Sequence, residues 1–181
     1  DPKELLLKGM QELGLGSDPS TLSITYTLSG TTEWTRNYAA YCQQMWEKIL
    51  GVKVELDFNE WGTFQSKTNN GEFQIAMMTW SIDYDDPMAM MEVFAGGSNM
   101  VPVFWQNEQY DSLVAQARKE MDEKTRVDLY KQAENILLAE DCVISPNVNE
   151  CTHSYYYQYV KNYNKLASST SGLKYVDTSA R

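Results

Sequence analysis

The sequence predicts an α/β fold, a mixed, mainly parallel sheet flanked by helices. Two observations carry this. Strand-like and helix-like patterns alternate between residues 22 and 80, and strand–helix–strand units of that length close as right-handed crossovers onto parallel strands. Residues 73–80 (FQIAMMTW) then form an almost unbroken apolar run, which suits a strand covered on both faces at the centre of such a sheet. A chain of 181 residues fits one α/β lobe over 1–181, since domains hold roughly 100–200 residues. Residues from about 160 to 181 read as a tail on it.

The elements follow in order. Leu5, Leu6, Leu7, Met10 and Leu13 recur at helical spacing, and Gly14 and Gly16 stop that helix. Asp18-Pro19-Ser20 is a turn. Residues 22–28 (LSITYTL) alternate apolar and hydroxyl side chains, a strand with one buried face. Trp34, Tyr38, Tyr41, Cys42, Met45, Trp46 and Ile49 make a wide apolar stripe on a long helix that Gly51 ends. Residues 52–58 (VKVELDF) alternate again, and a helix of about ten residues starts at Glu60 or Trp61 and closes at Asn69-Asn70-Gly71. After the apolar run come an acidic loop, a short Met-rich helix from Met88 to Phe94 whose Met88, Met90 and Met91 face a core, and a loop with Gly96-Gly97.

Two amphipathic helices follow. Tyr110, Leu113, Val114, Ala117 and Met121 line the first. Asp122 caps the second, which turns Val127, Tyr130, Ala133, Ile136 and Leu137 inward. Residues 142–148 read as a strand that Pro146 confines to an edge or bulge. Tyr155, Tyr156 and Tyr157 are expected on a strand, split between core and surface. Residues 162–171 read as a polar loop and 173–176 as a last short strand.

Composition narrows the function. With 15 Lys+Arg against 25 Asp+Glu the net charge is −10. No nucleic-acid partner is expected, because phosphate neutralisation needs a basic face, and a polybasic membrane-surface protein is disfavoured too. At 43% hydrophobic and 22% charged the chain reads as globular rather than disordered. No stretch approaches the ~18 apolar residues of a membrane span. The opening Asp-Pro-Lys-Glu, with neither Met nor an apolar leader, suggests a processed protein or a piece of a longer one. Cys42, Cys142 and Cys151 are odd in number, so no closed disulfide framework is expected and all three read as packing residues.

Most enzymatic chemistries lack their residues. His153 is the sole histidine and no Gly-x-Ser-x-Gly stands near it, so a hydrolytic triad has no recognisable nucleophile. Nucleotide-binding Gly-rich loops are absent, and one His with three scattered Cys does not match zinc spacings. His153 reads as a solvated or hydrogen-bonded strand residue. Asp83-x-Asp85-Asp86 starts like a calcium loop, but the Gly and Glu required later are Met88 and Phe94. A glycosidase needs two carboxylates flanking a sugar, and nothing in the sequence pairs them. No cofactor is expected, and the chain reads as a non-enzyme.

Placement remains as an argument. In open α/β sheets ligands sit beyond the carboxyl ends of the strands. The apolar run ends at Trp80 and leads to Asp83, while 52–58 leads to Asn59-Glu60-Trp61. A carboxylate beside aromatic rings suits a cation such as an amine. Spacing alone equally allows Trp61 and Trp80 as core residues and Asp83 as a cap.

The run Trp80-Ser-Ile-Asp83-Tyr84-Asp-Asp-Pro87 resembles the Trp-x-x-Asp-Tyr-x-x-Pro signature of bacterial oligopeptide-binding proteins, the solute receptors of peptide-importing ABC transporters. Leu50-Gly51-Val-Lys-Val54 with Glu60-Trp61, Tyr110-Asp111 with Ala117 and Glu120, Arg126-x-x-Leu-Tyr130-x-x-Ala133-Glu134, and Ile144-x-Pro146 match the family in order, as does the opening helix with Gly14. The resemblance covers the C-terminal lobe only. It implies one lobe of a periplasmic-binding-protein (type II) fold, excised from a two-lobed receptor whose N-terminal lobe is missing. The tail would pack on the sheet or on that missing lobe. Asp83 would pair with the peptide α-amine, the backbones of Thr79 and Ser81 with the peptide main chain, and Trp61, Trp80 and Tyr84 would complete the ligand site. The implied partners are an oligopeptide and ABC-transporter membrane subunits. The implied location is extracytoplasmic, in the periplasm or lipid-anchored at the cell surface. Met77 stands where family members can carry an Arg for the peptide carboxylate, and Thr79 where a Gly is frequent, which leaves peptide length open. An oligosaccharide or metal chelate in the same fold is the alternative, and a hydrolytic enzyme the more distant one.

Overall fold

The computed structural model describes residues 1–96, 98, 100–149, 153, 155–165, 171–172 and 176–179. It contains two compact units, Asp1–Thr79 and Trp80–Arg181.

The first unit is built on parallel strands β1 (Ser23–Ser29), β2 (Lys53–Asn59) and β3 (Ile75–Ala76) in the order β2-β1-β3. Its helices are α1 (Pro2–Glu12), α2 (Glu33–Leu50) and α3 (Trp61–Asn69). Tyr26 stands opposite Leu56 and Thr27 opposite Asp57. With a side-chain period of two, one sheet face therefore carries Tyr26, Leu28, Val54 and Leu56, and the other Thr25, Thr27, Glu55 and Asp57. The apolar face packs with Ala39, Cys42 and Trp46 of α2 and Leu6 of α1. The Tyr26 and Trp46 rings lie 5.0 Å apart. On the polar face Lys67 of α3 reaches Asp57 at 2.8 Å. α2 also covers the outer edge of β2: Gln43 Nε2 donates to the Val54 carbonyl at 2.7 Å, and Glu47 Oε1 accepts from the Val54 N–H at 3.1 Å. An edge strand satisfied in this way offers less template for another chain. Thr32 caps α2 by accepting from Thr35 N–H. Gly51 ends it at φ 79°, a left-handed conformation that costs glycine no Cβ clash.

Two expectations for this unit need correction. Only Ile75 and Ala76 of the apolar run 73–80 pair, at an edge, and Ile75 and Met78 remain 39% and 42% exposed. The central strand is β1, because it has a neighbour on each side. On α2 the buried positions are Thr35, Ala39 and Cys42; of the expected stripe Cys42 is buried and Tyr38 and Trp46 pack against the core, whereas Trp34, Tyr41 and Ile49 are exposed. The smaller residues, one position along, let the helix approach the sheet.

The second unit contains α4 (Met88–Met91), continued by a 3-10 turn at Glu92–Phe94, then α5 (Glu108–Lys119) and α6 (Glu123–Asn135), which ends in a π-turn at Ile136–Glu140. Met88, Met91, Tyr110, Val114, Ala133 and Ile136 are among its buried core, and Met90 packs against it half-buried. The Tyr110 hydroxyl donates to the Met91 carbonyl at 2.7 Å, so the largest buried side chain is also satisfied. Asn107 and Asp122 cap α5 and α6 as their residue types favour. Asn164–Lys165 (β4) and Ser171–Gly172 (β5) pair antiparallel, where a polar loop is expected.

Residues 142–148 form no strand, because no partner strand lies beside them among the described residues. Instead Cys142 takes φ 49° and is exposed, and so is not a packing residue. Asp141 ties this segment back to the start of α5, accepting from Trp105 Nε1 at 2.8 Å and Asn107 Nδ2 at 2.9 Å. Met121 lies beyond the end of α5 and Val127 faces solvent. Tyr155, Tyr156 and Tyr157 are all exposed and in no strand, as is His153. Cys151 and residues 173–175 of the expected last strand lie outside the described residues. Among the described residues no helix is long and apolar enough to cross a membrane.

Candidate ligand-binding site

The sheet itself marks one end as the place for a ligand. From β1 the chain crosses to β2 on one side, then passes over to β3 on the other. The connections therefore diverge between β1 and β3, and a crevice opens at the carboxyl ends of such a pair. Thr79 lies three residues past β3 at this end, exposed. Trp61, the first residue of α3, follows β2 at the same end; the residue is 57% exposed and its ring stacks on Phe64 with centroids 5.9 Å apart.

In the second unit Trp80, Ser81, Asp83 and Tyr84 share one loop that runs without helix or strand to Met88. Trp80 is half-buried and packs on the apolar core of that unit. Ser81 and Asp83 are exposed. Among the described residues no hydrogen bond engages the peptide N–H or C=O of Thr79 or Ser81. The Asp83 carboxylate has no hydrogen bond or ion pair among them either.

The next acidic residues behave differently. Asp86 pairs with Arg126 of α6, accepts from Met88 N–H at 2.8 Å and from the Tyr130 hydroxyl at 3.3 Å. The Arg126 guanidinium sits 5.3 Å from the Tyr130 ring centroid. The hydrogen bond from Arg126 is the main reason the Asp86 carboxyl is held below its ordinary pKa. Tyr84 donates its hydroxyl to Glu92 Oε1 at 2.8 Å, and Arg118 of α5 meets Glu92 Oε2 at 2.8 Å. That acceptor raises the Tyr84 pKa, since a phenolate beside a carboxylate is disfavoured. The residue pattern did not single out Glu92 and Arg118. Arg126 and Tyr130 stand in the quoted helix motif, and the fold shows that both converge on Asp86.

A cavity of about 560 Å³ opens on the polar face of the first unit's sheet, lined by Thr25, Thr27, Glu55, Asp57, Lys67 and Gln74 among others. None of the sequence-predicted site residues lines it. Its one cation, Lys67, is paired with Asp57. Among the described residues no three His, Cys, Asp or Glu side chains gather where they could hold a metal ion.

Comparison with known proteins gives the family and the fold. The oligopeptide-binding protein OppA of Bacillus subtilis is 36% identical over 143 residues, which are 76% of this chain and 25% of that protein. The dipeptide-binding protein DppE of the same organism is 37% identical over 142 residues, with 78% and 25% covered. The crystal structure of Haemophilus influenzae OppA in complex with RPPGFSPFR superposes with a TM-score of 0.68 at 25% identity, over 75% of this chain and 26% of that one. The chain thus spans about a quarter of the length of these relatives. Its α/β architecture, with a parallel sheet flanked by helices, is that of the type II periplasmic-binding-protein fold. Residues 2–102 match the family model of bacterial extracellular solute-binding proteins, family 5 (middle region), and the chain belongs to that family.

Proposed function

We propose that this chain is the ligand-capturing part of a two-lobed oligopeptide receptor that serves an ABC importer and performs no chemistry on its ligand. The carrying observation is the contrast within one loop. Asp83 presents an exposed carboxylate with no partner among the described residues, while Tyr84 and Asp86, one and three positions further on, are engaged by Glu92 and Arg126. A free carboxylate on a tethered loop suits a cationic ligand group such as a peptide α-amine. The unengaged peptide groups of Thr79 and Ser81 suit main-chain pairing with an extended peptide, which gives affinity without demanding particular side chains. Trp61 and Trp80 supply aromatic surface for side-chain pockets. A second lobe closes over the ligand, membrane subunits of the importer receive it, and the receptor works outside the cytoplasm. The relatives reported above, named for oligopeptides and dipeptides, support a peptide over an oligosaccharide or a metal chelate.

The test is a calorimetric titration of the full-length receptor with a tri- to pentapeptide pool, free or N-acetylated. The free pool binds and the acetylated pool binds at least ~10-fold more weakly, as expected for loss of a charge-assisted contact. Asp83→Ala abolishes the difference. Equal affinity of wild-type receptor for both pools removes the amine-anchoring role from Asp83.

A further inference from the structure

We propose that Glu92 is a positioning residue, a two-sided clamp that holds the Asp83 carboxylate in place through Tyr84. The loop from Trp80 to Pro87 has no backbone ladder of its own; one backbone hydrogen bond, from Asp86 N–H to the Tyr84 carbonyl at 3.0 Å, turns it, and side-chain tethers join it to the rest of the unit. One end is seated by Trp80 on the apolar core. The other is fixed by Asp86 on Arg126 and by Asp86 accepting from Met88 N–H. Asp83 lies between these ends, and the contact nearest to it is at Tyr84, the next residue.

There one Glu92 oxygen accepts the Tyr84 hydroxyl at 2.8 Å while the other meets Arg118 at 2.8 Å. Glu92 follows directly on α4 in a 3-10 turn whose next residues, Val93 and Phe94, are buried. Arg118 belongs to the last turn of α5, whose Ala117 is fully buried. The clamp is therefore anchored on both sides in packed structure, whereas Tyr84 itself is 45% exposed. Its hydroxyl proton is committed to Glu92, and in this proposal Tyr84 serves as a tether for the loop. A carboxylate held in place before the ligand arrives loses less freedom on binding.

This inference rests on the reading of Asp83 as an amine anchor, and the experiment separates the two. Affinities of the full-length receptor for one tripeptide, free and N-acetylated, are compared in wild type, Tyr84→Phe, Glu92→Ala and Glu92→Gln, each with a thermal melt. The preference for the free amine falls roughly three- to tenfold in Tyr84→Phe and Glu92→Ala, the scale of one lost hydrogen bond. Affinity for the acetylated peptide stays put. Glu92→Gln, which keeps an acceptor for Tyr84, retains most of the preference. Parallel loss for both peptides, together with a lowered melting temperature, reduces the clamp to general stabilisation and overturns the proposal. So does an unchanged preference in Tyr84→Phe and Glu92→Ala. A wild-type receptor with no amine preference sinks the Asp83 reading, and the clamp with it.

Discussion

Asp83 and Asp86 are the same residue type three positions apart, and they do opposite work. Asp86 spends both oxygens on the fold, on Arg126, Tyr130 and Met88 N–H. Asp83 spends neither among the described residues. The commitment of Asp86 has a pH signature. Its pKa is lowered in the folded state, chiefly by the hydrogen bond from Arg126, as that of Asp57 is by Lys67. The stabilisation is fully present above the unfolded carboxylate value of about 3.9 and is lost as pH falls through the lower folded value. Melting temperature is therefore expected to drop on acidification below about pH 4. Asp86→Asn is expected to cost about 1–2 kcal/mol at neutral pH and to show a shallower acid drop. Melts from neutral to acidic pH check this; an acid slope in Asp86→Asn equal to the wild type's would remove Asp86 from the linkage.

Elements in this chain are joined by polar contacts at their ends as much as by their apolar faces. The Gly96 N–H donates to Asp111 Oδ1 at 2.6 Å, in the first turn of α5. A Cβ at Gly96 would collide with the same carboxylate. Gly96→Ala requires the Asp111 carboxylate to shift and weakens that bond, so a loss of about 1 kcal/mol is expected in urea denaturation. An unchanged midpoint would mean the carboxylate gives way at no cost. The same logic explains where sequence patterns misled. Residues 142–148 are apolar enough for a strand, but a strand needs a neighbour, and this segment is held by Asp141 on Trp105 and Asn107 instead. In α2 the aromatic stripe is the most hydrophobic, yet small Ala39 and Cys42 make the close contact.

At the scale of the whole molecule, the proposed receptor holds its ligand between two lobes, of which this chain would supply one. Under the two-lobed reading, enclosure by a second lobe removes most of the ligand surface from water. The isolated chain is expected to bind the tripeptide at least ~100-fold more weakly than the full-length receptor. Paired calorimetric titrations measure this, and comparable affinities would mean that the second lobe contributes no contacts. Much of the candidate site was legible in advance because it is contiguous: Trp80, Ser81, Asp83 and Tyr84 occupy one five-residue stretch. Glu92 and Arg118 were not, since a Glu and an Arg 26 positions apart in sequence read as ordinary solvated surface until the fold joins them.

Local information determined the helices and their ends, because caps such as Thr32, Asn107 and Asp122 act within three residues. It also determined the parallel alternation of β1 and β2, through the period of their side chains. The family likeness was readable for the same reason, from short motifs in order. Tertiary structure alone decided which strand is central, which residues of α2 are buried, and that Arg126 takes up Asp86. Each of those depends on a partner distant in sequence, and neither spacing nor composition records who that partner is.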